Sequence, residues 1–100
     1  MFYAVINVCI TPERRFEGIQ KLKLLARWLT QKYGSETTVL GSRSGLKDQT
    51  QLVTCYRSQA EMRELDRQLT QDAEFDAWLR ETQIMIQWDC APGDIYRVME

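Results

Sequence analysis

Two successive segments of strand, helix and strand make up this 100-residue chain, and this order constrains the fold more than any other feature. Short apolar or alternating runs at residues 2–10, 36–43, 49–57 and 84–90 are typical of strands, and longer periodic runs between them are typical of helices. Two such units predict one α+β sandwich, in which a four-stranded antiparallel sheet carries both helices on one face. The other face of the sheet is then left uncovered.

The first helix has clear start and stop signals. Thr11 followed by Pro12 is typical of an N-cap and a first helical residue, and Gly34 is typical of a residue just past a helix end. One apolar stripe follows the helical period: Ile19, Leu22, Leu25, Ala26, Leu29 and Tyr33. Leu24 and Trp28 share the opposite face, which makes them candidates for a second contact surface.

The second helix should begin at a capping box, Ser58 to Glu61, and run to about residue 81. Its apolar residues do not stay in phase, because Phe75, Trp78 and Leu79 are displaced by roughly a quarter turn from Met62, Leu65 and Leu69. A break near residues 71–73 would bring both sets onto the sheet.

The last predicted strand, residues 84–90, places Ile84, Ile86, Trp88 and Cys90 on one face. We expect residues 95–99 to form a short terminal strand, which could pair across a dimer.

Composition bounds the class of protein. At 11.8 kDa the chain fits a single domain, residues 1–100, and no linker or low-complexity segment divides it. A net charge of −1 offers no basic surface for nucleic acid. The longest apolar run is far shorter than the roughly 20 residues that cross a bilayer, and no secretion signal is visible, so we expect no membrane association.

The three cysteines, Cys9, Cys55 and Cys90, lie in apolar strand-like runs without the close spacing of a metal or redox motif. This pattern favours reduced, buried thiols in a cytoplasmic protein, and a melting temperature that reductant leaves unchanged.

The sequence contains no histidine. This excludes Ser-His-Asp and Cys-His enzymes and argues against zinc, non-haem iron and most haem sites. We expect no metal and no cofactor, and any chemistry would use Tyr, Asn, Arg, carboxylates or Cys.

The chain resembles the dimeric α/β-barrel superfamily, whose ferredoxin-like βαββαβ domains include antibiotic-biosynthesis-type monooxygenases, stress-responsive domains and NIPSNAP-like domains. The resemblance covers nearly the whole chain. It rests on the order of elements, on the serine-led second helix after Tyr56-Arg57-Ser58, on residues 71–78 (QDAEFDAW) and on the closing strand Ile95-Tyr96-Arg97.

The resemblance implies a homodimer whose two sheets pack face to face, with a pocket between each sheet and its own helices. Members with known activity bind flat, often aromatic molecules there. Some oxidise them with molecular oxygen without metal or flavin, typically with Asn, Trp, Tyr and Arg side chains.

Six residues are the site candidates. As catalytic residues we expect Asn7, Tyr3 and Trp88, because a polar amide in an apolar strand could orient a substrate carbonyl and Tyr3 shares its strand face. As ligand-binding residues we expect Tyr56, Phe75 and Trp78, whose rings could form a wall for a planar molecule. For each residue the structural alternative stays open: Asn7 bonded to a neighbouring side chain, and the rings packed as core.

Arginines at strand ends, Arg43, Arg57 and Arg97, could clamp a carboxylate or phenolate, or simply be solvated.

Two functions remain. One is a homodimeric domain that binds a small planar molecule between sheet and helices, with activity like that of a cofactor-free monooxygenase. The alternative is a non-catalytic dimeric module for ligand sensing or protein interaction. A closed pocket lined by Asn7, Tyr3 and Trp88 would favour the enzyme, and a fully packed interior would favour the module.

Overall fold

The computed structural model describes residues 1–41, 50–88, 94–97 and 99. Its elements are, in order, β1 (Phe2–Ile10), α1 (Arg15–Tyr33), β2 (Thr37–Gly41), β3 (Thr50–Tyr56), α2 (Gln59–Thr70), α3 (Ala73–Thr82), β4 (Ile86–Gln87) and β5 (Asp94–Arg97). The predicted α+β order is confirmed, with the second helix divided into α2 and α3.

The strands form one sheet in the order β2-β3-β1-β4, and every strand pair in the described ranges is antiparallel. β4 pairs with the end of β1, at Cys9 and Ile10. β5 pairs with the beginning of β1, from Phe2 to Val5. The terminal strand therefore extends the sheet of its own chain, so that over the described residues the sheet has five strands rather than four.

The strand register assigns side chains to two faces of the sheet. Along β3, Thr50, Leu52, Thr54 and Tyr56 are buried, while the residues between them are half-buried. Residues opposite each other on paired strands share a face. The helices cover the face that carries the buried set. The other side, which we call the open face, carries Tyr3, Val5, Asn7, Cys9, Thr38, Leu40, Gln51, Val53, Cys55, Gln87 and Tyr96.

The hydrophobic core lies between the sheet and α1. It consists of Val8, Leu22, Leu25, Ala26, Leu29, Leu52, Met85 and Ile86. Leu22 is fully buried, which stabilises the fold by about 1.5–3 kcal/mol. α1 approaches β1 closely at Gly18, where an added Cβ atom would collide with the side chain of Ile10.

The start of α1 differs from the prediction. The side chain of Thr11 makes no capping hydrogen bond; a 3-10 turn at Pro12–Arg14 leads into α1. Thr11 Oγ1 instead donates to the carbonyl of Ile84 at 3.3 Å, and its N–H donates to the carbonyl of Met85 at 2.9 Å. Thr11 therefore joins the end of β1 to the turn before β4. Gly34 does end α1, with φ +68 in the left-handed region.

The capping box at the start of α2 is confirmed in a modified form. Ser58 Oγ accepts a hydrogen bond from the N–H of Glu61 at 3.2 Å. Glu61 Oε2 accepts from the N–H of Arg57 at 3.1 Å, one residue earlier than the reciprocal bond of a standard capping box.

The predicted break in the second helix is confirmed, and Asp72 forms it. α2 ends at Thr70, and Asp72 Oδ1 accepts hydrogen bonds from the N–H groups of Glu74 at 2.9 Å and Phe75 at 3.1 Å, so that it caps α3. The carboxylate is 4% exposed; it forms an ion pair with Lys32 Nζ at 2.8 Å and accepts a hydrogen bond from the Tyr33 hydroxyl. Asp72 therefore attaches the beginning of α3 to the end of α1.

The prediction of a strand over residues 84–90 is mostly wrong, because the chain turns at residues 83–85 and β4 covers only Ile86–Gln87. Ile84 lies in this turn and is 62% exposed, whereas Met85 is buried. Ile84 therefore does not share a sheet face with Ile86. Cys90, Arg43 and the predicted hairpin loop at residues 44–48 lie outside the described residues.

The expectation of reduced, buried thiols is wrong for Cys9. Cys9 lies on the open face, is exposed and takes part in a disulfide, whereas Cys55 is a half-buried free thiol. The argument for a cytoplasmic location from reduced cysteines loses its support.

Replacing Asp72 should separate its capping role from its charge. Asp72→Ala should lower the melting temperature at neutral pH by roughly 5 °C, because α3 loses its cap. Asp72→Asn keeps a capping oxygen and should lower the melting temperature by less. Circular dichroism melts measure both, with Asp76→Asn, an exposed carboxylate of the same helix, as the control.

The same variants have a defined pH dependence. Hydrogen bonds from Lys32 and Tyr33 hold the pKa of the Asp72 carboxyl well below its ordinary value of 3.8. The stabilisation is therefore complete above that value and is lost as the pH falls below it. Asp72→Asn should flatten the acid side of the stability profile; an unchanged acid profile would contradict this role.

Reduction should destabilise the protein through Cys9. We expect a reductant such as tris(2-carboxyethyl)phosphine to lower the melting temperature by several degrees, because breaking a disulfide releases a constraint on the unfolded chain. Cys9→Ser should have the same low melting temperature with and without reductant. Cys55→Ser is the matched control and should keep the response to reductant.

Candidate ligand-binding site

A cavity of about 520 Å³ lies between the sheet and the helices. Its floor consists of β1 and β3 side chains, and its other walls come from α1, α2 and α3, with Trp88 after β4. The lining residues are Ile6, Leu25, Leu29, Leu52, Thr54, Tyr56, Leu65, Asp66, Leu69, Thr70, Phe75, Asp76, Leu79 and Trp88. The volume is within the range of small-molecule sites, roughly 300–1,000 Å³.

The cavity exists because the helices do not fill the space above β1. Ile6 lies opposite Leu52 and so points towards the helices, yet it is 40% exposed. The break between α2 and α3 allows both helices to present apolar residues to this space: Leu65 and Leu69 from α2, Phe75 and Leu79 from α3. The wall is therefore mostly aliphatic and aromatic.

Two aromatic contacts fix the shape of the wall. Trp88 packs against Trp78 with ring centroids 5.9 Å apart and planes inclined by 56°. Phe75 stacks on Trp28 of α1 at 6.3 Å, with planes nearly parallel. The rings of Phe75 and Trp88 are thus held from outside the cavity, which favours a preformed site.

Tyr56 is the titratable aromatic group of the cavity. Burial, and secondly the negative charge of Asp66, raise the pKa of Tyr56 to about 12. Its hydroxyl therefore stays protonated at neutral pH, where it can donate a hydrogen bond to a ligand but does not act as a base.

The structure divides the predicted site residues between the two faces of the sheet. Tyr56, Phe75 and Trp88 line the cavity together. Tyr3 and Asn7 lie on the open face, opposite Cys55 and Gln51. Trp88 is thus separated from the two residues with which it was grouped.

Asn7 also has a structural partner. Its Oδ1 accepts a hydrogen bond from Gln51 Nε2 at 3.0 Å, across the strand pair. This is the structural alternative that the sequence left open, and it accounts for a polar amide in this strand.

A second, smaller groove of about 380 Å³ lies between the outer sides of α1 and α3. Trp78 lines this groove instead of the main cavity. Leu24 also lines the groove and is exposed, as expected for the opposite face of α1. Trp28 is partly buried, and its Nε1 donates to Glu74 Oε2 at 3.2 Å, so it forms a contact within the chain.

Sequence reasoning missed the polar residues of the cavity. Thr54 and Thr70 carry no distinguishing pattern, and Asp66 lies in a run of mixed charges, residues 61–67, that is typical of a solvated helix face. The available signal was position: Asp66 directly follows Leu65 and precedes Leu69 by three residues, which puts it at the border of the apolar stripe.

Other classes of site find no support in the described part of the chain. It holds no group of three or more His, Cys, Asp or Glu side chains that could bind a metal ion. Within the same ranges, no helix combines the length and apolarity needed to span a bilayer.

No protein-family model matches the sequence, and no curated protein matches it either. Solved structures do share the fold. An uncharacterized NIPSNAP domain protein from Burkholderia xenovorans matches 99% of this chain and 95% of its own, with a TM-score of 0.81 and 11% identity. A protein named as an antibiotic biosynthesis monooxygenase from Nitrosomonas europaea matches over 100% of both chains, with a TM-score of 0.70 and 13% identity.

A second protein of that name, from Deinococcus radiodurans, covers 100% of this chain and 94% of its own, with a TM-score of 0.68 and 12% identity. At these identities the likeness establishes the fold alone. The resemblance found in the sequence is confirmed at that level.

Proposed function

We propose that this chain, which has the ferredoxin-like fold of NIPSNAP and antibiotic-biosynthesis-monooxygenase domains, binds a small planar molecule as a homodimer. The observation that carries the proposal is the cavity of about 520 Å³ between sheet and helices. Tyr56, Phe75 and Trp88 contribute three aromatic rings to its lining, and leucines form most of the remaining lining. Such a lining favours a flat, largely apolar ligand, oriented by the Tyr56 hydroxyl.

Binding without catalysis is the function that this geometry favours. Deprotonation of a substrate by the protein requires an acceptor group beside the bound molecule. Asn7 and Tyr3 lie on the opposite face of the sheet, and Tyr56 remains protonated at neutral pH. Neither of the two residues expected to act with Trp88 therefore reaches the cavity, and the two carboxylates in its described lining, Asp66 and Asp76, are exposed to solvent.

Oxygenation is the second candidate, and the names of two structural neighbours favour it. Oxygen uptake with a panel of quinols and phenols distinguishes the two functions. Steady uptake that exceeds autoxidation, and that disappears when the cavity is filled by substitution, would establish the enzyme. Binding of the same compounds without uptake supports the module.

Filling the cavity should abolish ligand binding. In thermal-shift and tryptophan-fluorescence titrations, the neutral probe 1-naphthalenemethanol should bind the unmodified protein. Leu79→Trp places a larger ring in the cavity and should weaken binding by about tenfold or more. Leu24→Trp adds the same ring at an exposed site outside the cavity and should leave binding unchanged. Equal binding by the two variants, or none by the unmodified protein, would refute the site.

The dimer in this proposal is formed through the open face. Its exposed members include Tyr3 at 38%, Leu40 at 48% and Tyr96 at 55%, with Val5 and Val53 half-buried between them. A face-to-face partner would bury this apolar surface on a chain of 100 residues, which is small for an isolated domain. The self-complementary surface of a two-fold dimer suits such a sheet.

A charge at the centre of the open face should dissociate the dimer. Light scattering at micromolar concentration should give twice the chain mass of 11.8 kDa for the unmodified protein. Val53→Asp should give the mass of one chain, because an unpaired carboxylate would be buried between the sheets. Leu24→Asp, on the outer side of α1, should remain dimeric. A single-chain mass for the unmodified protein would overturn the assembly.

A further inference from the structure

The charged groups that the described residues contribute to the cavity are all of one sign. Among the described residues that line it, Asp66 of α2 and Asp76 of α3 are charged, and neither lysine nor arginine is present. The strand-end arginines that could have bound an anion do not contribute. Arg57 and Arg97 are exposed and absent from the lining, and Arg43 lies outside the described residues.

Asp66 is the carboxylate that is available to a ligand. Within the described ranges no ion pair engages it, since the neighbouring Arg67 is bonded to Glu64 at 2.5 Å. Its charge also reaches the cavity floor, where it contributes to the raised pKa of the Tyr56 hydroxyl. A positive group placed between Asp66 and Tyr56 would therefore be attracted, and a negative group repelled.

Asp76 has a smaller effect because a cation already accompanies it. Arg80 Nε lies 3.2 Å from Asp76 Oδ2, so a ligand in the cavity meets these two opposite charges together and the effect of Asp76 is offset. The asymmetry of the site thus depends mainly on Asp66.

The aromatic lining acts in the same direction as the carboxylates. Tyr56, Phe75 and Trp88 line one cavity, and the faces of such rings attract cations, most strongly where water is excluded. An anionic ligand would lose its hydration shell without gaining a cationic partner from the described lining. A cationic ligand would gain attraction from the faces of the aromatic rings and from the Asp66 carboxylate.

We infer that the cavity selects organic cations, namely planar aromatic molecules that carry an amine, with Asp66 as the residue that determines charge specificity. This inference rests on the proposed function, because it concerns the ligand class of the same cavity. It is distinct from a preference for phenolates or carboxylates, which the strand-end arginines suggested.

Three probes of nearly equal shape test the charge preference: 1-naphthylmethylamine, 1-naphthalenemethanol and 1-naphthoic acid, titrated at pH 7. We expect the amine to bind about tenfold tighter than the acid or more, with the neutral alcohol between them. Asp66→Asn should lower the affinity for the amine towards that for the alcohol, because only the attraction of the rings for the cation remains, and should leave the affinity for the alcohol unchanged. Glu13→Gln removes one negative charge outside the cavity lining and should preserve the order of affinities.

The outcomes separate the two proposals. If the acid binds as tightly as the amine, or if Asp66→Asn leaves their ratio unchanged, the charge preference is refuted while binding of the alcohol still supports the site. If none of the three probes binds, the proposed function fails and the charge preference fails with it. Because Asp66 is exposed and takes part in no ion pair in the described residues, Asp66→Asn should fold normally, which its melting temperature checks.

Discussion

The connection between Asp72 and the end of α1 determines the arrangement of the helical layer. One carboxylate caps α3 through the N–H groups of Glu74 and Phe75, and it also bonds Lys32 and Tyr33 of α1. Because the cap ends α2 and restarts the helix, Phe75 can stack on Trp28 and face the cavity at the same time. A continuous helix would keep the phase difference between Leu65 and Phe75, and could not turn both towards the sheet.

The sequence predicted those parts of the fold that depend on local chemistry. The helix break follows from the shift in apolar phase, and the cap at Ser58 and the end of α1 at Gly34 follow from residue type. The errors occur where a contact between residues far apart in the sequence determines the local structure. Thr11 has the composition of an N-cap, but its hydroxyl bonds to Ile84, which lies 73 residues away. Alternation predicts that Ile84 shares a face with Ile86. Both Ile84 and Met85 lie instead in a turn, where Met85 is buried and Ile84 is exposed.

The site was only partly predictable from the sequence. Alternation along a strand shows which of its own residues share a face, but the register between strands depends on residues far apart in the chain. Alternation correctly places Tyr3 and Asn7 on the same face of β1. It does not relate them to Trp88, since that relation depends on the pairing of Cys9 with Gln87. The aromatic wall was found because large rings at helical spacing are visible in the sequence. Asp66 was not found, because a carboxylate at the border of an amphipathic helix has the same pattern whether it faces water or a cavity.

The central position of β1 has a consequence for biogenesis. This strand is synthesised before all three of its neighbours, because β3, β4 and β5 lie between residues 50 and 97. During translation the nine residues of FYAVINVCI have no sheet partner, and their backbone amides and carbonyls are unpaired along both sides. Closure of the sheet must therefore wait until β5 has left the ribosome, so the nascent polypeptide passes through a period in which an apolar strand is open to chaperones or to aggregation.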